Sequence, residues 1–293
     1  MAIKRSNLIL PELLQDAVRG EFAGRLAILR ATGAAVIAGN LESATAGDKV
    51  KVPYFGTIGE FEDLATDEGG VGALPALTPA SMTMTSDESA VLHSGKAVEL
   101  TAWAQLAATY ADPYAELARQ LRVGAERLYD RKLIDVAKTT SLVHTVAVGT
   151  KLKWLEVVKA RGKFGDEDED IAALVVHSSV FTDLESETDT TNRPLMIWPA
   201  AAPSTAIAPP PTISGIPVVK SDRLAKVGGR NESLLLKKGA LAFWYNSDAL
   251  NIKTDSDILT DSDILAMHVY YVAHRYARLS GGTLGGVVKI ISD

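Results

Sequence analysis

Cysteine is absent from the 293 residues. That removes disulfides, thiolate nucleophiles and cysteine metal sites, and it is compatible with folding in a reducing cytosol. There is no basic surplus either: 36 acids stand against 30 bases, for a net charge of −6. A protein built to grip nucleic acid carries a basic excess or a basic stripe, and here the lysines and arginines are scattered. No stretch reaches the roughly 18 uninterrupted apolar residues of a membrane helix. The opening Leu8-Ile9-Leu10 run ends at Pro11 and is too short for a secretory signal. The expectation is a soluble chain made in the cytoplasm, with no membrane partner.

Catalytic signatures are also missing. There is no G-x-S-x-G, no phosphate loop and no G-x-G-x-x-G. The glycine-rich stretches 69–72 and 281–286 do not lie between a strand and a helix, and read as turns. None of His93, His144, His177, His268 and His274 forms an i, i+4 pair. His268 and His274 fall on one face of an expected strand, but about 20 Å apart, too far to share a metal. The acidic run 166–170 lacks the glycine and spaced ligands of a calcium loop and reads as a solvated loop. Two Asp-Ser-Asp pairs, 255–257 and 261–263, carry Ile258 and Ile264 where ligands are needed, so they read as turn and strand-end residues. No cofactor, metal site or catalytic residue is assigned. An enzyme with an unrecognised site is the rival of a different class.

What is present is ordinary globular composition, 47% hydrophobic and 23% charged, in a chain long enough for one large domain or two. The order of its parts is more telling. Residues 1–46 read as an arm, with a short helix start at Pro11 and then a small-residue stretch broken by glycines. An extended run, Lys49-Val50-Lys51-Val52-Pro53, leads into a long polar excursion to about Pro79. That excursion holds Glu60, Glu62, Asp63, Asp67 and Glu68. A return strand follows around Met82-Thr83-Met84. A loop this long is an ordinary surface loop or a functional arm, and the flanking extended runs favour the arm. An isolated two-stranded hairpin is marginal in water, so it is expected to lie on a neighbouring subunit.

The clearest helix spans about 112–140, with Asp112 placed to cap it and Pro113 at its first position. Tyr114, Leu117, Leu121, Ala125, Leu128 and Val136 form its apolar stripe, while Arg119, Arg122, Glu126, Arg127, Asp130 and Arg131 are expected mostly off that stripe. A second amphipathic helix is expected over 151–161, using Leu152, Leu155, Val157 and Val158. A buried strand over 171–177 and a short helix from Ser178 come next. The segment 192–217 holds seven of the twelve prolines and reads as an irregular loop at a domain tip. Within it, Trp198 is an anchor either for a neighbouring subunit or for its own core. Further strands are expected at 216–220, 234–236, 241–245, 265–276 and 286–290. The hexapeptide Thr-Asp-Ser-Asp-Ile-Leu occurs twice in succession, 254–259 and 260–265, too briefly for a solenoid.

This succession resembles the major capsid protein of tailed bacteriophages, the Hong Kong 97 type of fold. Gly47-Asp48-Lys49-Val50 and the hairpin carry the likeness, with 93–101, the helix from Pro113 to Arg131, 215–224 and the closing stretch 254–290. The resemblance implies an α+β subunit. Its parts would be an N-terminal arm (1–46), an extended hairpin or E-loop with its flanking strands (47–101), and a peripheral domain with a spine helix and antiparallel sheet (102–145). An axial domain with a central sheet and flanking helices (146–252) and C-terminal strands returning to the peripheral domain (253–293) complete it.

It further implies a structural role in the virion, with hexamers and pentamers closing an icosahedral shell around double-stranded DNA without sequence-specific binding. The implied partners are other copies of the chain, a portal, possible decoration proteins and a separate scaffolding protein, since only about 46 weakly charged residues precede the hairpin. Glu60, Glu62, Asp63, Asp67, Glu68 and Trp198 are the inter-subunit contact candidates. Some members weld subunits by a lysine–asparagine bond, but no trio here aligns with that chemistry. An encapsulin-type compartment is the rival within the same fold.

Overall fold

The computed structural model describes residues 28, 33–41, 49–55, 79, 81–101, 113–199, 210–224, 226–245, 251–257, 262–279 and 284–293. In chain order these form β1 (Ala35–Asn40), β2 (Lys49–Phe55), β3 (Met84–Ala90) and β4 (Leu92–Thr101). The long helix α1 (Pro113–Ala137) follows, then β5 (Val143–Thr145), helix α2 (Trp154–Arg161), β6 (Ile171–Val176) and helix α3 (Ser178–Glu185). Next come the short strands β7 (Met196–Ile197) and β8 (Thr212–Ile213), then β9 (Ile216–Lys220) and β10 (Asn231–Lys237). β11 (Leu241–Tyr245), β12 (Asn251–Asp257), β13 (Ser262–Arg275) and β14 (Val287–Ser292) close the chain. The architecture mixes few helices with several sheets, in keeping with the α+β expectation.

β13 is the axis of a five-stranded sheet. β4 runs antiparallel along one edge, β12 and β11 share the other, and β1 joins β11 in parallel. The duplicated hexapeptide contributes to both strands: residues 254–257 of its first copy close β12, residues 262–265 of its second open β13, and Ser256 pairs with Asp263. Strand alternation sends Leu265, Met267, Val269, Tyr271 and Ala273 into one core with α1.

Helix α1 is buried more widely than its apolar stripe implies. Leu117, Leu121, Ala125, Tyr129, Leu133 and Ala137 form one i, i+4 ridge against the sheet. The adjacent ridge, Arg122, Glu126, Asp130 and Ile134, is buried as well. This corrects the expectation that Arg122, Glu126 and Asp130 face away, and the physical reason is pairing. Arg122 and Glu126 stand 3.8 Å apart. Asp130 accepts from Arg223 and, at 3.3 Å, from the backbone N–H of Ile28. Leu128 and Val136 only flank this core.

The second sheet has seven strands in the order β5-β14-β10-β6-β9-β8-β7. Every residue of β10 is buried, and β6 is nearly so, which explains the continuous apolar run of β6 and the three consecutive leucines of β10. On one face Leu174, Val176, Leu235, Val288 and Ile290 pack against α2 and α3. On the other, Val175, Leu234, Leu236 and Val287 belong to the core under α1.

Three expectations are corrected in this region. Leu155 and Val158 of α2 are exposed, because Val157, Ala160 and the following Phe164 take the buried side. The proline-rich segment is not wholly irregular, since two-residue ladders β7 and β8 fit between its prolines and extend the sheet beyond β9. The closing stretch does not stay together: β13 lies under α1, whereas β14 pairs with β10 and β5.

Candidate functional site

Among the described residues β2 and β3 pair only with each other, in register from Lys49 opposite Ala90 to Phe55 opposite Met84. Seven residues per strand give a ribbon about 24 Å long at about 3.4 Å per residue. Lysines protect it as expected of an exposed strand: Lys49 and Lys51 reach Glu88 across the ribbon at 2.7 and 3.3 Å. Together they hold the Glu88 carboxyl below its ordinary range, the Lys49 hydrogen bond contributing most. Toward its far end the ribbon exposes Phe55, Met82 and Met84, each 63% accessible. Sequence reasoning read these three as plain strand residues. Phe55 lies directly opposite Met84, so these two apolar side chains share the more exposed face of the ribbon, and what covers that face is not encoded in the local pattern.

The root of the ribbon is fastened to the main sheet. Ser89 Oγ and His274 Nδ1 lie 2.8 Å apart, and Asp87 Oδ2 accepts from the N–H of Ala277 at 3.3 Å. His274 is buried between Trp244 and Tyr276. Burial lowers its pKa below the ordinary histidine value, partly countered by Asp87 and reinforced by Arg275.

Of the candidate contact residues, Glu60, Glu62, Asp63, Asp67 and Glu68 lie outside the described residues. Trp198 is described: it is 56% exposed beside Ile197 at 65%. Its indole meets Phe181 edge-on at 6.3 Å, and Lys220 Nζ sits 4.3 Å over the same Phe181 ring. The indole therefore rests on its own domain while keeping an open face. A third surface is a groove of about 530 Å³ between α1 and β4. Its floor includes Leu117, Leu121 and Val269, its rim Lys96, Arg127 and Arg131, and no carboxylate among the described residues lines it.

Among the described residues no group of three or more His, Asp or Glu side chains stands ready for a metal ion. Among the same residues no helix is long and apolar enough to cross a membrane. The histidines take local roles. His144 Nε2 lies 2.7 Å from Glu156, and His177 Nδ1 accepts from the N–H of Ser179 at the start of α3. Hydrogen bonds from Lys159 and His144 hold the Glu156 carboxyl below its ordinary range. Strand register, invisible in the sequence, brings His93 to His268, 3.0 Å apart.

No protein-family pattern and no curated protein matches the sequence. Solved structures do match the fold. A structure from Microbacterium phage Oxtober96 shares 14% identity at a TM-score of 0.61, over 99% of this chain and 95% of that one. The capsid of a native GTA particle shares 13% identity at a TM-score of 0.61, over 100% and 95%. The holo-SrpI encapsulin complex from Synechococcus elongatus shares 12% identity at a TM-score of 0.53, over 72% and 77%. At such identities the likeness is one of fold, and the fold is the Hong Kong 97 type implied by the order of the sequence elements.

Proposed function

We propose that this chain is a major capsid protein, a structural and non-enzymatic subunit of an icosahedral phage head. The observation that carries the reading is the ribbon β2–β3. It pairs with no other strand among the described residues and presents Phe55, Met82 and Met84 to solvent. A lone hairpin of this kind gains stability by lying on another chain. The likeness to the GTA capsid supports the same conclusion.

In this reading residues 1–46 are the arm and 47–101 the E-loop with its flanking strands. Helix α1 with the five-stranded sheet around β13 builds the peripheral domain, and the seven-stranded sheet with α2 and α3 builds the axial one. Copies associate head to tail in rings of five and six. Arm, hairpin and domain edges engage several neighbours at once, so avidity replaces single-site affinity. The acids of the hairpin tip, Glu60, Glu62, Asp63, Asp67 and Glu68, and the open face of Trp198 are contact points. The shell encloses double-stranded DNA of a tailed phage without reading its sequence. A scaffolding protein, a portal and decoration proteins complete the head.

Electron microscopy of the purified protein tests the reading: closed shells are expected, and deletion of 60–72 should abolish them while leaving a folded, soluble subunit. Normal particles from that deletion would remove the hairpin from the mechanism. The likeness to the SrpI encapsulin favours a second reading, a compartment holding a protein cargo. Shells that co-purify with a protein and no nucleic acid would select it.

A further inference from the structure

We propose that His93 and His268 form a binding site for one borderline divalent transition-metal cation, of the Zn²⁺, Ni²⁺ or Cu²⁺ class. His93 lies on β4 and His268 on β13. Their antiparallel register sets Tyr270 opposite His93 and Gly95 opposite His268, making the two histidines diagonal neighbours. Because Met267 and Val269 enter the core under α1, alternation places His268 on the sheet's other face. His93 Nε2 and His268 Nδ1 stand 3.0 Å apart, with the rings stacked at 5.2 Å.

Each ring is held in place by its surroundings. The imidazole of His93 stacks on Tyr270 at 4.6 Å and 13°. The ring of His268 lies over Gly95, where a Cβ would come within 2.9 Å of Nδ1. Glycine at this strand position therefore makes the room the ring occupies. His93 is exposed and His268 half-buried, so a cation reaches them from solvent.

The spacing suits chelation. Two nitrogens each about 2.0–2.1 Å from a cation stand roughly 2.9–3.4 Å apart as their angle opens from right to tetrahedral. The cation takes the place of the hydrogen bond now shared by the rings. A neutral imidazole carries one proton, so the donating ring moves that proton through solvent to its remote nitrogen. Both facing nitrogens then offer lone pairs, and no net proton is released. Imidazole donors select zinc, nickel and copper over magnesium and calcium. Water fills the remaining coordination positions.

Calorimetric titration of the intact, metal-stripped chain with Zn²⁺ near neutral pH tests the site. One saturating event per chain is expected, accompanied by shifts of the His93 and His268 ring resonances. His93→Ala and His268→Ala should each weaken it at least tenfold. Gly95→Ala, which displaces the His268 ring, should weaken it too. His177→Asn, which removes a distant histidine and keeps a capping residue, should leave it unchanged. Millimolar Mg²⁺ should give no saturation. Equal unfolding temperatures for the wild type and His93→Ala will show that loss of binding is not loss of fold. Absence of a saturable Zn²⁺ event, or one that survives in the His93→Ala/His268→Ala double variant, overturns the proposal.

Discussion

Replacing Arg223 by alanine should strand a carboxylate inside the protein. The Asp130 side chain is fully buried, and its charge is met by the Arg223 guanidinium and by the N–H of Ile28 at 3.3 Å. Breaking a buried ion pair from one side costs roughly 3–5 kcal/mol, because the remaining charge has lost both water and partner. Arg223 is itself 34% exposed, so water can enter where its side chain was, and the low end, about 3 kcal/mol, is expected. At about 2–4 °C per kcal/mol, that is a drop of about 6–12 °C in unfolding temperature. Asp130→Asn should be milder, about 1 kcal/mol, since the amide oxygen still accepts from Ile28 and Arg223 can turn to solvent. The assay is thermal unfolding of the unassembled chain at fixed concentration, followed by far-ultraviolet circular dichroism. The decisive variant is Asp130→Asn/Arg223→Ala, which removes the stranded charge and should be more stable than Arg223→Ala alone. If the double variant is no better, or the two single variants fall equally, the stranded-charge argument is wrong.

Leu121→Asp should destabilise the subunit severely by burying an unpaired charge on the ridge of α1, whereas Arg119→Ala, at an exposed position, should leave unfolding within about 0.5 kcal/mol of the parent; equal melting temperatures would place the helix face elsewhere. His274 has a pKa lowered from 6.5, so the unfolded chain binds its proton more readily than the folded one. Its stabilising contribution is therefore complete above that ordinary value and lost as the pH falls toward the folded one. Acidification from pH 7 should thus destabilise the parent more than His274→Gln, measured by denaturant unfolding at each pH, and parallel curves would refute the linkage. Trp198→Ala should impair ring assembly, scored by microscopy, with little change in subunit melting; a loss of roughly 3–5 kcal/mol would instead mark Trp198 as a core residue.

The sequence was most readable where one signal sufficed. The period of α1, the unbroken apolar run of β6, the short helix after Ser178 and the length of β13 all stand close to their expected bounds. Interpretation failed where a partner lay far along the chain. Asp130 looks like a surface acid on any helical wheel, and only Arg223, brought beside it by the fold, explains its burial. The ladders β7 and β8 are two residues each, shorter than any periodicity can register. Parallel pairing of β1 with β11 joins segments more than 200 positions apart. The acids at the hairpin tip remain proposals resting on composition, whereas the His93–His268 pair came from register alone.

Strand β10 has a consequence for how the molecule comes apart. Leu234, Leu235 and Leu236 point alternately to the two sides of one sheet, so a single strand serves as the party wall of both cores. Melting either core exposes a ladder on which the other depends. The chain is thereby wired for a single cooperative unfolding transition despite its length. The shared wall is packed on both faces and resists hinging, so bending falls instead to the ribbon β2–β3, which pairs with no other strand among the described residues.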